Sequence, residues 1–106
     1  MQKKQVLPPH PGGILRDALL PQFGMTATEA AFAMRMSPEL LFEILAERKP
    51  VSAEVCLRIA RLFGSSPEMW QRLQANYDME VARQDRRIAE SVQKIVPASF
   101  FNKATA

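Results

Sequence analysis

Three times along this chain a serine is followed by a proline or alanine and then a glutamate: Ser37-Pro38-Glu39, Ser52-Ala53-Glu54 and Ser66-Pro67-Glu68. A serine ahead of a helix accepts from a first-turn amide that has no partner inside the helix. A proline at the first helical position lacks a donor that would be unused there, and an acid complements the positive end of the helix dipole. Each triplet therefore reads as a helix start, and each stands just before an apolar run of helical period. Thr26 with Glu29 three residues on gives a fourth start, in which each side chain bonds the other's backbone N–H. Starts this close together leave room only for short helices joined by tight turns. They predict an all-α chain, a compact orthogonal bundle of about five helices.

The apolar positions place the elements. Ile14, Leu15, Ala18 and Leu19 recur at helical spacing from Pro11 to Leu20, with Pro21 and Gly24 punctuating the end. The second helix runs from Ala27 to about Met34, Arg35 and Met36 make a tight turn, and the third starts at Ser37. The fourth carries Val55, Ile59, Leu62 and Phe63 on one stripe and stops at Gly64. The fifth carries Met69, Trp70, Leu73 and Tyr77, read as core packing, against the fourth helix, rather than a ligand platform. Val81, Ile88, Val92, Ile95 and Val96 then form a thinner apolar stripe in a charged segment, so this helix can continue to Pro97 as a C-terminal extension that needs a partner surface. No strand-like alternation occurs. The organisation expected is an extended, proline-rich arm over 1–10, a helical domain over 11–78, a helical extension over 79–96 and a flexible tail over 97–106 with an exposed Phe100-Phe101 pair.

A chain of 106 residues with 47% hydrophobic and 24% charged side chains suits one soluble globular domain. The net charge of +3 is compatible with nucleic acid without demanding it. The single Cys56 excludes an internal disulfide and reads as a small buried hydrophobe, and the lone His10 has no second member for a metal site or a His-based dyad. His10 is read instead as ordering the start of the first helix. No metal, cofactor or small-molecule substrate is expected. No nucleophile–base pair, carboxylate dyad or phosphate loop supports an enzyme. No apolar run reaches the roughly 20 residues of a membrane span, and no apolar signal core follows the N-terminal Met-Gln-Lys-Lys, so no membrane partner and a cytoplasmic location are expected.

Between Met25 and Val51 two short helices meet at a very tight turn, with the small Ala30 where the helices approach closely, which is a helix-turn-helix layout. Around it stand His10-Pro11-Gly12, Ile14-Leu15-Arg16, Arg48-Lys49-Pro50, the run Ala60-Arg61-Leu62-Phe63-Gly64-Ser65-Ser66-Pro67-Glu68-Met69-Trp70, and Leu73-Gln74-Ala75-Asn76-Tyr77-Asp78. On these residues the chain resembles the HigA-type antitoxins (plasmid-maintenance antidotes, VapI-like), a branch of the Cro/C1-type helix-turn-helix regulators, over about residues 10 to 82. The resemblance implies a homodimer that binds operator DNA, represses its own operon as a type II autorepressor and neutralises a HigB-like toxin. It implies base-edge contacts from Arg35, Ser37, Pro38, Glu39, Leu40 and Glu43. Phosphate contacts fall to Arg48 and Lys49, helix N-terminal amides, and Lys3, Lys4 and Arg16.

Two features set this chain apart from that pattern. The third helix is acidic and apolar where relatives carry small polar and basic residues, and Arg35 and Glu47 stand at positions where glycine is common. Glu39 reads either as a helix-start acid like Glu54 and Glu68 or as a reader of cytosine. Leu40 and Phe42 either cover the core edge or offer apolar contact, because Leu41, Ile44 and Leu45 already supply the inward stripe. The Arg83 to Arg87 run reads as a solvated face or as a phosphate or partner contact. The alternative function is a protein-interaction module that kept the fold with weak or lost sequence-specific DNA binding. Its partner surface would be Leu40, Phe42, Ile88, Val92 and Ile95.

Overall fold

The computed structural model describes residues 6–101, and every regular element in it is helical. α1 is one continuous helix in three parts, an α turn Pro11–Ile14, a π segment Leu15–Leu19 and a further α turn Leu20–Phe23. It is followed by α2 (Ala27–Ala33), α3 (Pro38–Leu45), α4 (Ala53–Phe63), α5 (Pro67–Gln84) and α6 (Arg86–Gln93), and a 3-10 turn covers Ala98–Phe101. None of the described helices is long and apolar enough to cross a membrane.

Each start read from the sequence is made by the atoms expected. Thr26 Oγ1 accepts from the Glu29 amide at 3.1 Å while Glu29 Oε1 accepts from the Thr26 amide at 2.9 Å. Ser37, Ser52 and Ser66 each accept from the amide three residues on. His10 caps α1, its Nδ1 accepting from the Gly12 amide at 2.9 Å, which fixes the neutral ring with its proton on Nε2.

Two boundaries differ from the sequence reading. α1 runs past Leu20 and Pro21 to Phe23. In a regular α-helix the Pro21 ring would press on the carbonyl four residues back and remove a bond. Here the preceding turn is widened, the Leu20 amide donating to Leu15 O. The helix ends only at Gly24, whose φ of 63° is left-handed. At the other end α5 does not continue to Pro97. Asp85 leaves helical geometry at ψ 112°. Its Oδ1 accepts from the Arg87 and Ile88 amides at 2.9 and 3.2 Å, starting α6 anew.

The core gathers one face from each of the first five helices: Leu15 and Leu20, Ala30 and Ala31, Leu41, Ile44 and Leu45, Val55, Cys56 and Ile59, and Trp70, with Met34 and Val51 from the connections. α1 lies against α3 so closely that a Cβ on Gly12 would stand 1.7 Å from Ile44 O. Trp70 is buried and donates through Nε1 to Ser65 Oγ at 2.6 Å. Tyr77 has an aromatic partner at the far side of the bundle. It meets His10 edge to face, ring centroids 4.8 Å apart, and so ties α5 to the start of α1. α6 packs against α5 and buries no residue of its own.

Candidate nucleic-acid interface

The centre of the candidate site is the junction of α2 and α3. The last turn of α2 closes with the Arg35 amide donating to Phe32 O at 3.1 Å and the Met36 amide to Ala31 O at 3.0 Å. That pattern requires a left-handed residue between them. Arg35 occupies it at φ 56°, an arrangement that in a non-glycine residue is strained by about 1 kcal/mol. The end of α3 repeats the motif. Glu47 and Arg48 amides donate to Ile44 O and Glu43 O, both at 2.9 Å, with Glu47 at φ 64°. Both positions read from the sequence as unusual for lacking glycine are therefore left-handed.

These turns present the first turn of α3 to solvent. Arg35, Ser37, Pro38 and Glu39 are all exposed or nearly so, and Phe42 is exposed one turn later. Leu40 is half-buried against the core, so of the two apolar residues considered for contact only Phe42 is open. The Glu39 carboxyl accepts from Ser37 Oγ at 2.9 Å. A bond from its own backbone amide and this hydroxyl hold it below the usual carboxylate range. Glu43, half-buried, takes a forked bond from Arg48, Nε to Oε1 at 3.1 Å and Nη2 to Oε2 at 2.9 Å, and this pairing lowers its pKa.

The basic residues divide by how firmly they are held. Arg16 forks onto Asp17 with both bonds at 2.8 Å, and its Nη1 donates to Leu45 O at 2.9 Å and to Glu47 Oε2 at 3.2 Å, fastening α1 to the carbonyl end of α3. Arg48 belongs to Glu43. Lys49 and Arg35 are exposed and make no side-chain ion pair among the described residues. Lys3 and Lys4 lie outside the described residues. Ile88, Val92 and Ile95 lie far along the chain from α3, and Ile88 and Val92 line a shallow apolar groove with Met79, Ala82 and Arg83.

The helix-turn-helix family matches this chain over residues 15–70, a stretch that contains α2, the left-handed Arg35 turn, the capped α3 and α4. The chain belongs to the Cro/C1-type helix-turn-helix family. Among its family relatives, a virulence-associated protein I of Dichelobacter nodosus is 37% identical over 90 residues, covering 85% of this chain and 81% of its own length. The Pseudomonas aeruginosa antitoxin HigA, solved with the higBA promoter, superposes with a TM-score of 0.79 at 31% identity over 86% of this chain and 98% of its own. The antitoxin GraA, solved in complex with its operator, gives a TM-score of 0.78 at 31% identity over 92% and 97%. The likeness to HigA-type antitoxins read from the sequence motifs is thus carried by the fold as well.

Sequence reasoning assigned no structural role to three residues that shape this helix-turn-helix site, although Gly12 and Gln74 stand in the runs that carry the resemblance. Gly12 allows α1 to lie on the end of α3. Gln74, buried in α5, accepts from the Val51 amide at 2.8 Å and donates to Asp78 at 2.9 Å, holding the connection that follows α3. Arg58 of α4 reaches the turn before α3. Glu54 four residues ahead of Arg58 is a visible helical ion-pair spacing, but nothing in the linear pattern shows that the guanidinium extends beyond it.

Proposed function

We propose that this protein is a DNA-binding antitoxin and autorepressor that acts as a homodimer, reading operator DNA with α3 and neutralising a HigB-like toxin. The observation that carries this reading is the exposed first turn of α3 between two left-handed turns, in a chain whose fold follows that of two antitoxins solved on promoter or operator DNA. Arg35, Ser37 and Glu39, exposed at the start of α3, are the residues we assign to base edges. Among the described phosphate candidates Lys49 carries no ion pair, while Arg48 and Arg16 must share their guanidinium groups with acids. In a dimer two copies of α3 about one turn of DNA apart would give a palindromic site. The α5–α6 stripe of Met79, Ile88 and Val92 is the apolar surface offered to the second copy.

The test is a salt-dependent titration on the DNA upstream of the coding region, against scrambled DNA. The expected preference is about a hundredfold or more. Equal, salt-sensitive binding to both overturns operator reading. That outcome favours the second reading, a protein-interaction module, for which the exposed Phe42 beside Glu39 on α3 speaks.

A further inference from the structure

A helix closed by the left-handed motif at Arg35 satisfies the carbonyls of Ala31 and Phe32 and leaves those of Met34 and Arg35 without helical partners. Both are taken by one atom. Arg58 Nη1, reaching over from α4, donates to Met34 O at 2.9 Å and Arg35 O at 3.0 Å. The other side of the same guanidinium is held by Glu54 Oε2, at 3.1 Å from Nε and 2.8 Å from Nη2, so the fork cannot swing away from the turn without losing an ion pair. The side chain is about one-third exposed, and Arg58 lines a surface groove with Met34, Arg35, Leu57 and Leu62. Arg16 does the matching work at the far end of α3, on Leu45 O. The turn that leads into α3 and the last residue of α3 are thus each held by an arginine that belongs to neither helix of the motif.

We propose that Arg58 is a positioning residue for the reading helix, clamping the left-handed Arg35 turn so that α3 leaves α2 at one fixed angle. This rests on the proposal that α3 reads DNA, and it assigns Arg58 no contact with DNA. A planar, charged donor is what the geometry demands, since two carbonyls must be met while a carboxylate is held on the opposite edge. A glycine at position 35 would adopt the left-handed conformation without the clamp, and this makes the idea testable as a coupling between two positions.

The experiment is a double-variant cycle with Arg58→Met and Arg35→Gly, with Arg58→Lys as the conservative change. Hydrogen exchange of the Arg35 and Met36 amides is read first, against the Ile59 and Ala60 amides of α4. Titrations on upstream and scrambled DNA over a range of salt follow. Arg58→Met is expected to speed exchange in the turn but not in α4. It should also lower affinity for upstream DNA by at least about tenfold, with scrambled binding and the salt slope nearly unchanged. In the Arg35→Gly background the same change should lower affinity by less than about threefold, and Arg58→Lys should recover part of the loss. Equal losses in both backgrounds overturn the proposal. So does a parallel fall on both DNAs with a flatter salt slope, because that is the mark of a phosphate contact. If Arg58→Met does not fold, a folded Arg58→Met/Arg35→Gly protein supports the clamp and an unfolded one overturns it. If the wild-type protein shows no preference for upstream DNA, operator reading fails, and turn exchange alone decides the clamp.

Discussion

His10 shows how much one side chain can be asked to do in a small bundle. It is 4% exposed, caps α1, and lies against Tyr77 of α5. Burial pushes its pKa below the ordinary 6.5, with Glu47 and Asp78 pulling the other way. The unfolded chain therefore binds the proton more readily than the folded one. Stability contributed by the neutral ring is complete above pH 6.5 and is lost as the pH falls below it. Thermal unfolding should show a melting temperature that declines between about pH 7 and about pH 5. His10→Asn keeps a capping oxygen but cannot titrate, and should flatten that decline. Below about pH 4 both proteins weaken, because Asp17, Glu39, Glu43 and Glu68 all have lowered values and lose favourable bonds on protonation. Gly12 belongs to the same scale. Ile44 O lies 1.7 Å from where a Cβ would stand. Gly12→Ala should therefore destabilise by about 3 kcal/mol in a denaturant titration, and α1 must shift to accept it.

Among elements, starts are far easier to read in the sequence than ends. Each start is set within a few residues by a side chain that bonds its own helix, as Thr26, Ser37, Ser52 and Ser66 do, so the letters carry the whole interaction. Ends depend on what the chain packs against. Pro21 reads as a stop, yet the π turn before it lets α1 continue far enough to bury Leu20 and set Phe23 against Phe63. Asp85 reads as one charge among many, and its role as a cap shows only once its carboxylate is seen on the Arg87 and Ile88 amides. The same reason hides Arg58 and Gln74, whose partners are backbone groups 23 and 24 residues away. Asp85→Ala should cost the last helix about 1 kcal/mol. Hydrogen exchange in α6 should rise while the core amides of α4 keep their protection, and equal loosening of both would place α6 in the cooperative core.

For the whole molecule, charge and apolar surface point in different directions. Six arginines (Arg16, Arg48, Arg58, Arg83, Arg86 and Arg87) face acids at 3.9 Å or less. Attraction to DNA therefore falls to fewer cations than the composition suggests. Lys49→Ala should weaken binding to upstream and scrambled DNA alike and reduce the salt slope by about one. Arg48→Ala should change the slope less, since Glu43 already neutralises that charge. Exposed apolar residues occur on several elements, and on α5 and α6 Met79 and Val92 border one groove. In the proposed homodimer, Val92→Asp should shift the protein from dimer to monomer in light scattering at micromolar concentration and leave the melting of the bundle nearly unchanged. A dimer that persists would move the interface elsewhere.

The two arginines that bracket α3 bear on how such a protein can diverge. Arg16 and Arg58 grip backbone carbonyls, atoms that every amino acid supplies, and Ser37 contributes its cap through a hydroxyl that threonine or aspartate can replace. Of the outward residues, Glu39 accepts from the Ser37 hydroxyl, while the side chains of Pro38 and Phe42 are exposed. The frame that aims the helix is thus independent of the letters the helix displays. If α3 reads DNA as proposed, a lineage can rewrite its preferred target at outward positions such as Phe42 while these backbone contacts stay in place.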